Sequence, residues 1–165
     1  MKQKRIIAFL IDAFSIVFLT IIVRLILNVD DAQLSLMFFS LLASFLIICK
    51  DCYNGNSFGK YLMKIQIIDE RKMQPASPFK CVIRNYLYFI WIVELIMFLC
   101  SKSGNRLGDY FTRTKVVERV EGLREIDKLR LILTVFLVAL FFVLIYIYVY
   151  LSVSHTKTLF SLIIG

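Results

Sequence analysis

IIAFLIDAFSIVFLTIIVRLIL, residues 6–27, is an apolar run entered through Lys2, Lys4 and Arg5 and interrupted by one carboxylate, Asp12. As an α-helix its 22 residues reach roughly 33 Å, enough to cross a hydrocarbon core of about 30 Å. The run therefore reads as a membrane span. It exceeds the roughly 7 to 15 residues of a signal-peptide core and no A-x-A-like site follows it, so an uncleaved anchor is expected. A carboxylate inside a span is unfavourable by roughly 2.5 to 3.5 kcal/mol on insertion scales unless it is neutral, paired or facing water. Asp12 therefore marks a site. Arg5, Ala8 and Asp12 are spaced i, i+3 and i+7 and share one helix face. Ala8 leaves room on that face for another backbone or side chain.

The composition agrees with a membrane setting. The 165 residues are 59% hydrophobic with a mean hydropathy of +0.77, above the roughly 45 to 50% apolar content of soluble domains. The net charge of +8 is spread beside apolar runs, where topology selection and anionic headgroups account for it. A bilayer with anionic headgroups is the expected partner, and nucleic acid is not.

Outward from the first span, residues 28–33 hold Asp30 and Asp31 and no basic residue, the pattern of an external loop. Residues 34–49 then return as a second span. Residues 50–80 carry six basic residues against Asp51, Asp69 and Glu70, which places them in the cytoplasm. Here Gly55 and Gly59 read as turn residues. Residues 64–69 and 114–118 have the β-branched content of short strands, the first ended by Pro75 and Pro78. Residues 81–100 are a third apolar run containing Arg84 and Glu94. Both of its flanks are basic, which favours a re-entrant or interfacial helix pair over a crossing. A charged linker leads to the last span, residues 131–151, with Tyr146, Tyr148 and Tyr150 as an interfacial belt. The expected fold is an all-α polytopic membrane protein. It has three transmembrane helices, a re-entrant or interfacial helical segment (four spans if it crosses) and a small cytoplasmic β element. Residues 1–118 form the membrane domain, and 119–165 the linker and C-terminal transmembrane helix.

The chemistry open to these residues is narrow. Asp12 is either an ion or proton site neutralised by an arginine, or half of a structural salt bridge. Arg24, near the outer end of the run, reaches by snorkelling towards Asp30 and Asp31. Cys49 and Cys52 form a C-x-x-C, but with Cys81 and Cys100 they give no second pair, so no metal and no cofactor is expected. NSFGK, residues 56–60, is not a P-loop, since Tyr61 follows Lys60. With His155 alone near the end of the chain, no nucleophile and base pair emerges, and enzyme activity is not expected.

KRIIAFLID, residues 4–12, resembles the opening signature of the RDD family of bacterial integral membrane proteins, named for one arginine and two aspartates. NSFGK followed by IQIID, residues 65–69, is similar to that family's glycine-lysine turn and following strand. Arg84-Asn85, RLGD at 106–109 and TKVV at 114–117 match its later part. The departures are Gly108, where a histidine often precedes the aspartate, and a third run without the proline often found there. The resemblance implies that Arg5 is the family arginine, Asp12 the first aspartate and Asp109 the second. It also implies a multi-pass protein of the bacterial cytoplasmic membrane, and it suggests transport. The expectation is a small transporter or transporter component, coupled to protons or cations in one form of it, with the N-terminus cytoplasmic. Asp12 and Asp109 would face the ion, with Arg5, Arg84 and Arg106 as countercharges. The alternative is a non-transporting accessory or scaffold protein of a membrane complex. Either role allows a homo-oligomer or a partner membrane protein.

Overall fold

With neither Gly nor Pro to break it, the opening run folds as one helix, α1 (Lys2–Leu27). The computed structural model describes residues 2–27, 32–90, 93, 96–97, 100–101, 105–119 and 127–164. α1 buries only Arg5, Ala8 and Asp12, while Phe14 and Leu25 are 75% and 77% exposed. Polar groups turn inward and apolar ones outward. That inverts the rule for a soluble helix and suits a hydrocarbon surround.

After α1 come α2 (Ala32–Cys49), α3 (Phe58–Leu62), β1 (Ile65–Asp69), β2 (Gln74–Pro75) and α4 (Pro78–Tyr86), which runs into a 3-10 turn at Leu87–Ile90. The chain continues with α5 (Leu107–Thr112), β3 (Thr114–Glu118) and α6 (Lys128–Ile164). Among the described residues two helical segments, Lys2–Leu27 and Lys128–Ser154, are long and apolar enough to cross a membrane. The apolar stretch of α2, Leu34–Cys49, is shorter. α2 packs on α6 through edge-on aromatic pairs, Phe38 with Tyr146 at 5.8 Å and Phe45 with Phe142 at 5.9 Å. Such pairs contribute about 0.5 to 1.5 kcal/mol each.

The β element is a three-stranded antiparallel sheet in the order β2-β1-β3. β1 pairs with β3 from Ile65 opposite Glu118 to Asp69 opposite Thr114. As the central strand, β1 is buried along its whole length. Ile65, Ile67 and Val116 join Ala8, Cys52, Ala76 and Cys81 in the core, and Leu131 and Val135 of α6 pack against it. The sheet is thus the platform on which α1, α4 and α6 converge.

Three sequence expectations change here. Pro75 does not end the strand region; it lies in edge strand β2, where a missing N–H is tolerated. Pro78 opens α4 in its first turn, where the lost donor has no helical partner in any case. Gly59 lies inside α3 and not in a turn. The third apolar run begins as α4, whose helix stops at Tyr86 and buries Cys81, Arg84 and Asn85. Whether its remainder crosses lies outside the described residues, as do Glu94, most of the linker, and Asp30 and Asp31 as partners for Arg24.

The buried thiols of Cys52 and Cys81 allow unfolding to be followed with a thiol-reactive dye once exposed Cys100 is replaced by serine. In that background Ile67→Ala empties a fully buried site in β1 and is expected to destabilise by about 2 to 5 kcal/mol. The dye melt in detergent would show a clearly lowered Tm, and an unchanged one would remove the sheet from the stability-determining core.

Candidate functional site

At the sheet end of α1 the inward-facing polar residues meet side chains from four other segments. Asp12 is held by the N-terminus of α3. Ser57 caps that helix, its hydroxyl oxygen accepting from the Lys60 N–H at 3.3 Å, while the hydroxyl donates to Asp12 Oδ2 at 2.7 Å. The Gly59 N–H donates to Asp12 Oδ1 at 2.7 Å. Lys50 Nζ stands 3.3 Å from Oδ2. This approach requires glycine, because a Cβ at residue 59 would overlap the Ala8 carbonyl oxygen. Ala8 and Gly59 are therefore the contact that brings α3 onto α1.

A second carboxylate, Asp109 in the first turn of α5, sits between two arginines. Arg5 donates from Nη2 to Oδ2 at 2.5 Å, and Arg84 donates from Nε to Oδ1 at 2.5 Å. The Arg106 N–H also donates to Oδ2, at 3.0 Å, so Asp109 caps its own helix. Gly108 permits this geometry, since a Cβ there would lie 2.6 Å from the Arg84 carbonyl oxygen. Burial alone would raise the Asp109 carboxyl, but Arg84 and Arg5 reverse that and hold it at about 2.

Asp51, in the turn after α2, is fully buried. It accepts from Lys60 Nζ, from Asn85 Nδ2 at 3.1 Å and from Arg84 Nη1 at 3.4 Å. Asn85 Nδ2 also donates to the Ile48 carbonyl at 3.1 Å and so caps the end of α2. Burial opposes ionisation of Asp51, and the charges of Lys60, Lys50 and Arg84 more than offset it, so its carboxyl lies well below the usual range. The Lys60 ammonium is lowered too, to about 8, first by burial and, against the pull of Asp51, by the charges of Arg84 and Lys50.

Of the residues singled out from sequence, Arg5, Arg84 and Asp109 meet directly. Arg106 contributes its N–H to the same carboxylate and places its guanidinium 5.4 Å from the centre of the Phe9 ring. Asp12 shares the α1 face of Arg5, but among the described residues the groups that hydrogen-bond or ion-pair with it are Ser57, Gly59 and Lys50, not an arginine. That is a correction with a simple cause, since Arg5 points to Asp109 instead. As site residues, sequence reasoning missed Asp51 and Lys50, and it met Lys60 and Asn85 only as members of the motifs that carry the resemblance. The available signal was Lys50-Asp51 set directly against an apolar helix end. Among the described residues no three His, Cys, Asp or Glu side chains are grouped to hold a metal ion.

A family model described as the RDD family matches residues 3–113, a span that runs from the first turn of α1 to the end of α5. No curated protein and no solved structure matches the chain.

Two outcomes follow from this geometry. Asp109→Ala strands two buried arginines, and breaking such a pair is expected to cost about 3 to 5 kcal/mol; Arg84→Lys should not substitute, because one ammonium lacks the fork that spans two carboxylates. Dye melts of both variants check this, and a near-native Tm for Arg84→Lys would contradict the fork. The fold holds Asp109 below its unfolded value, so its stabilisation is complete above about pH 4 and drains away as pH falls towards 2. Wild type should lose Tm across that window, and Asp109→Asn should lose less.

Proposed function

Because the chain belongs to the RDD family and is a membrane protein, we propose that it serves as a non-transporting accessory or scaffold component of a membrane complex. Its buried ions act as a structural lock. The observation that carries this reading is the closure of the carboxylates. Asp109 is held by two guanidinium groups and a backbone N–H, and Asp12 by a hydroxyl, a backbone N–H and an ammonium. A proton- or cation-coupled site needs a carboxylate whose charge or ligands change during turnover. Asp109 at about 2 stays ionised throughout the neutral range, and three donors already occupy its two oxygens.

In this reading the N-terminus and the sheet lie in the cytoplasm of a bacterial cell, as the basic residues around them favour. α2 is the third crossing. The outer faces of α1 and α6, apolar and exposed, contact lipid, further copies of the chain or a partner membrane protein. No catalytic step is assigned to it.

The second reading, a transporter component coupled to protons or cations, rests on one feature: a carboxylate, Asp12, buried within an otherwise lipid-facing span. Proteoliposomes separate the two. Purified wild type and Asp12→Asn, inserted to equal extents, would be assayed for proton and cation flux. The accessory reading expects no flux above empty vesicles from either protein, and a lower Tm for Asp12→Asn. Flux through wild type that disappears in Asp12→Asn would overturn it.

A further inference from the structure

The C-x-x-C at the end of α2 brackets two members of the ion network, Lys50 and Asp51. Cys49 is the last residue of α2. The Cys52 N–H donates to the Cys49 carbonyl at 3.0 Å and closes a tight turn over the two residues between them. In such a turn the first and fourth Cα atoms lie within about 7 Å, and a disulfide spans about 4.4 to 6.8 Å. The side chains already meet, with the two thiols hydrogen-bonded to each other. That contact and, after it, burial push the Cys52 thiol up, so Cys52 is the partner that keeps its proton.

The two sulfurs differ in access. Cys49 is half-buried at the edge of the core. Cys52 is only 2% exposed, and its thiol is also directed at the Pro78 carbonyl, 3.8 Å away. Of the other two cysteines, Cys81 is fully buried with its thiol on the Ala76 carbonyl at 3.9 Å, and Cys100 is exposed on a different segment. An accessible sulfur backed by a shielded one in the same turn is the arrangement of an attacking and a resolving thiol. Cysteines that only fill space need neither the access of Cys49 nor the contact between the thiols.

We propose that Cys49 and Cys52 form a reversible dithiol–disulfide couple that exchanges with a low-molecular-weight disulfide. The Cys49 thiolate attacks one sulfur of that disulfide and forms a mixed disulfide, and half of the reagent leaves as a thiolate that takes up the proton Cys49 has lost. The Cys52 sulfur then attacks the Cys49 sulfur, the mixed bond breaks, and the second half leaves with the Cys52 proton. Two protein thiols are oxidised, and one small disulfide is reduced to two thiols. The new bond closes a ring over Lys50, which holds Asp12 of α1, and Asp51, which holds Lys60 of α3 and Arg84 of α4. Because the fold brings the sulfurs together before they react, it favours the disulfide relative to the unfolded chain, and the disulfide favours the fold by the same factor. The couple is a redox-set clamp on the turn that anchors the network, whether or not the protein transports anything.

The test uses the full-length protein with Cys100→Ser in detergent, equilibrated with mixtures of reduced and oxidised glutathione. Thiols are trapped with acid, alkylated in denaturant and located by mass spectrometry. The reduced protein takes label on Cys49, Cys52 and Cys81. The oxidised protein should take it on Cys81 alone and regain full labelling with dithiothreitol. At one glutathione ratio the native protein should favour the disulfide roughly tenfold more than the same chain unfolded in dodecyl sulfate, the scale of closing a short loop. Cys52→Ser should stop with glutathione on Cys49, and Cys49→Ser should leave Cys52 unmodified in the folded protein. Native protein that keeps all its thiols at ratios that oxidise the unfolded chain would rule the couple out, as would a bond from Cys52 to Cys81 in its place.

Discussion

The structure depends on one guanidinium. Arg84, on the short helix α4, reaches Asp109 of α5 with Nε and Asp51, beyond the end of α2, with Nη1. Asp109 in turn holds Arg5 of α1, and Asp51 holds Lys60 of α3. Five segments distant in sequence are thereby tied through a single planar fork. In hydrocarbon, apolar helix surfaces gain little by leaving lipid for each other, so packing and polar contacts must fix how helices sit. The ion network supplies that constraint at one end of α1. The edge-on aromatic pairs between α2 and α6 supply a weaker one further along.

This arrangement accounts for the small residues around it. Gly59 and Gly108 lie where α3 crosses α1 and where α5 crosses α4, and a side chain at either position would strike a backbone carbonyl oxygen. The bonds from Gly59 N–H to Asp12 and from Arg84 to Asp109 form only at those closest approaches. The core beneath the sheet follows the same pattern. Ala8, Ala76, Cys52 and Cys81 fill the places where α1, β2, the turn after α2 and α4 meet Ile65 and Ile67. Cysteine serves there as a small apolar residue, in keeping with the free thiols of Cys52 and Cys81.

Much of this was legible in the sequence because its signals are local. The i, i+3, i+7 spacing of Arg5, Ala8 and Asp12 named the three residues α1 buries. The β-branched runs at 65–69 and 114–118 matched β1 and β3 to the residue, apart from Lys64 at the head of the first. Pairing was harder to read, since it is set by three-dimensional approach: Arg5 and Asp109 are 104 residues apart, and nothing in the spacing says that Lys50 serves Asp12 while Arg5 does not. Asp51 was passed over because a charge beside lysine after an apolar run looks like solvated loop. Only the folding of α3 and α4 over it makes it fully buried. Pro75 misled for a related reason. A proline ends a central strand but is tolerated at a sheet edge, and the edge exists only once the strand order is known.

The sign of the buried charge bears on what the site can do. Three carboxylates suggest cation handling when counted alone, yet each is already tied to at least one cation. A cation approaching Asp12 meets Lys50 first, and one approaching Asp109 meets Arg5 and Arg84. A proton fares no better, because protonating Asp109 removes the charge that Arg5 and Arg84 share, leaving Arg84 its longer pair with Asp51. On the accessory reading, these pairs tie α1, α3, α4 and α5 together, and that is a different use of the residue types from which a proton relay is built.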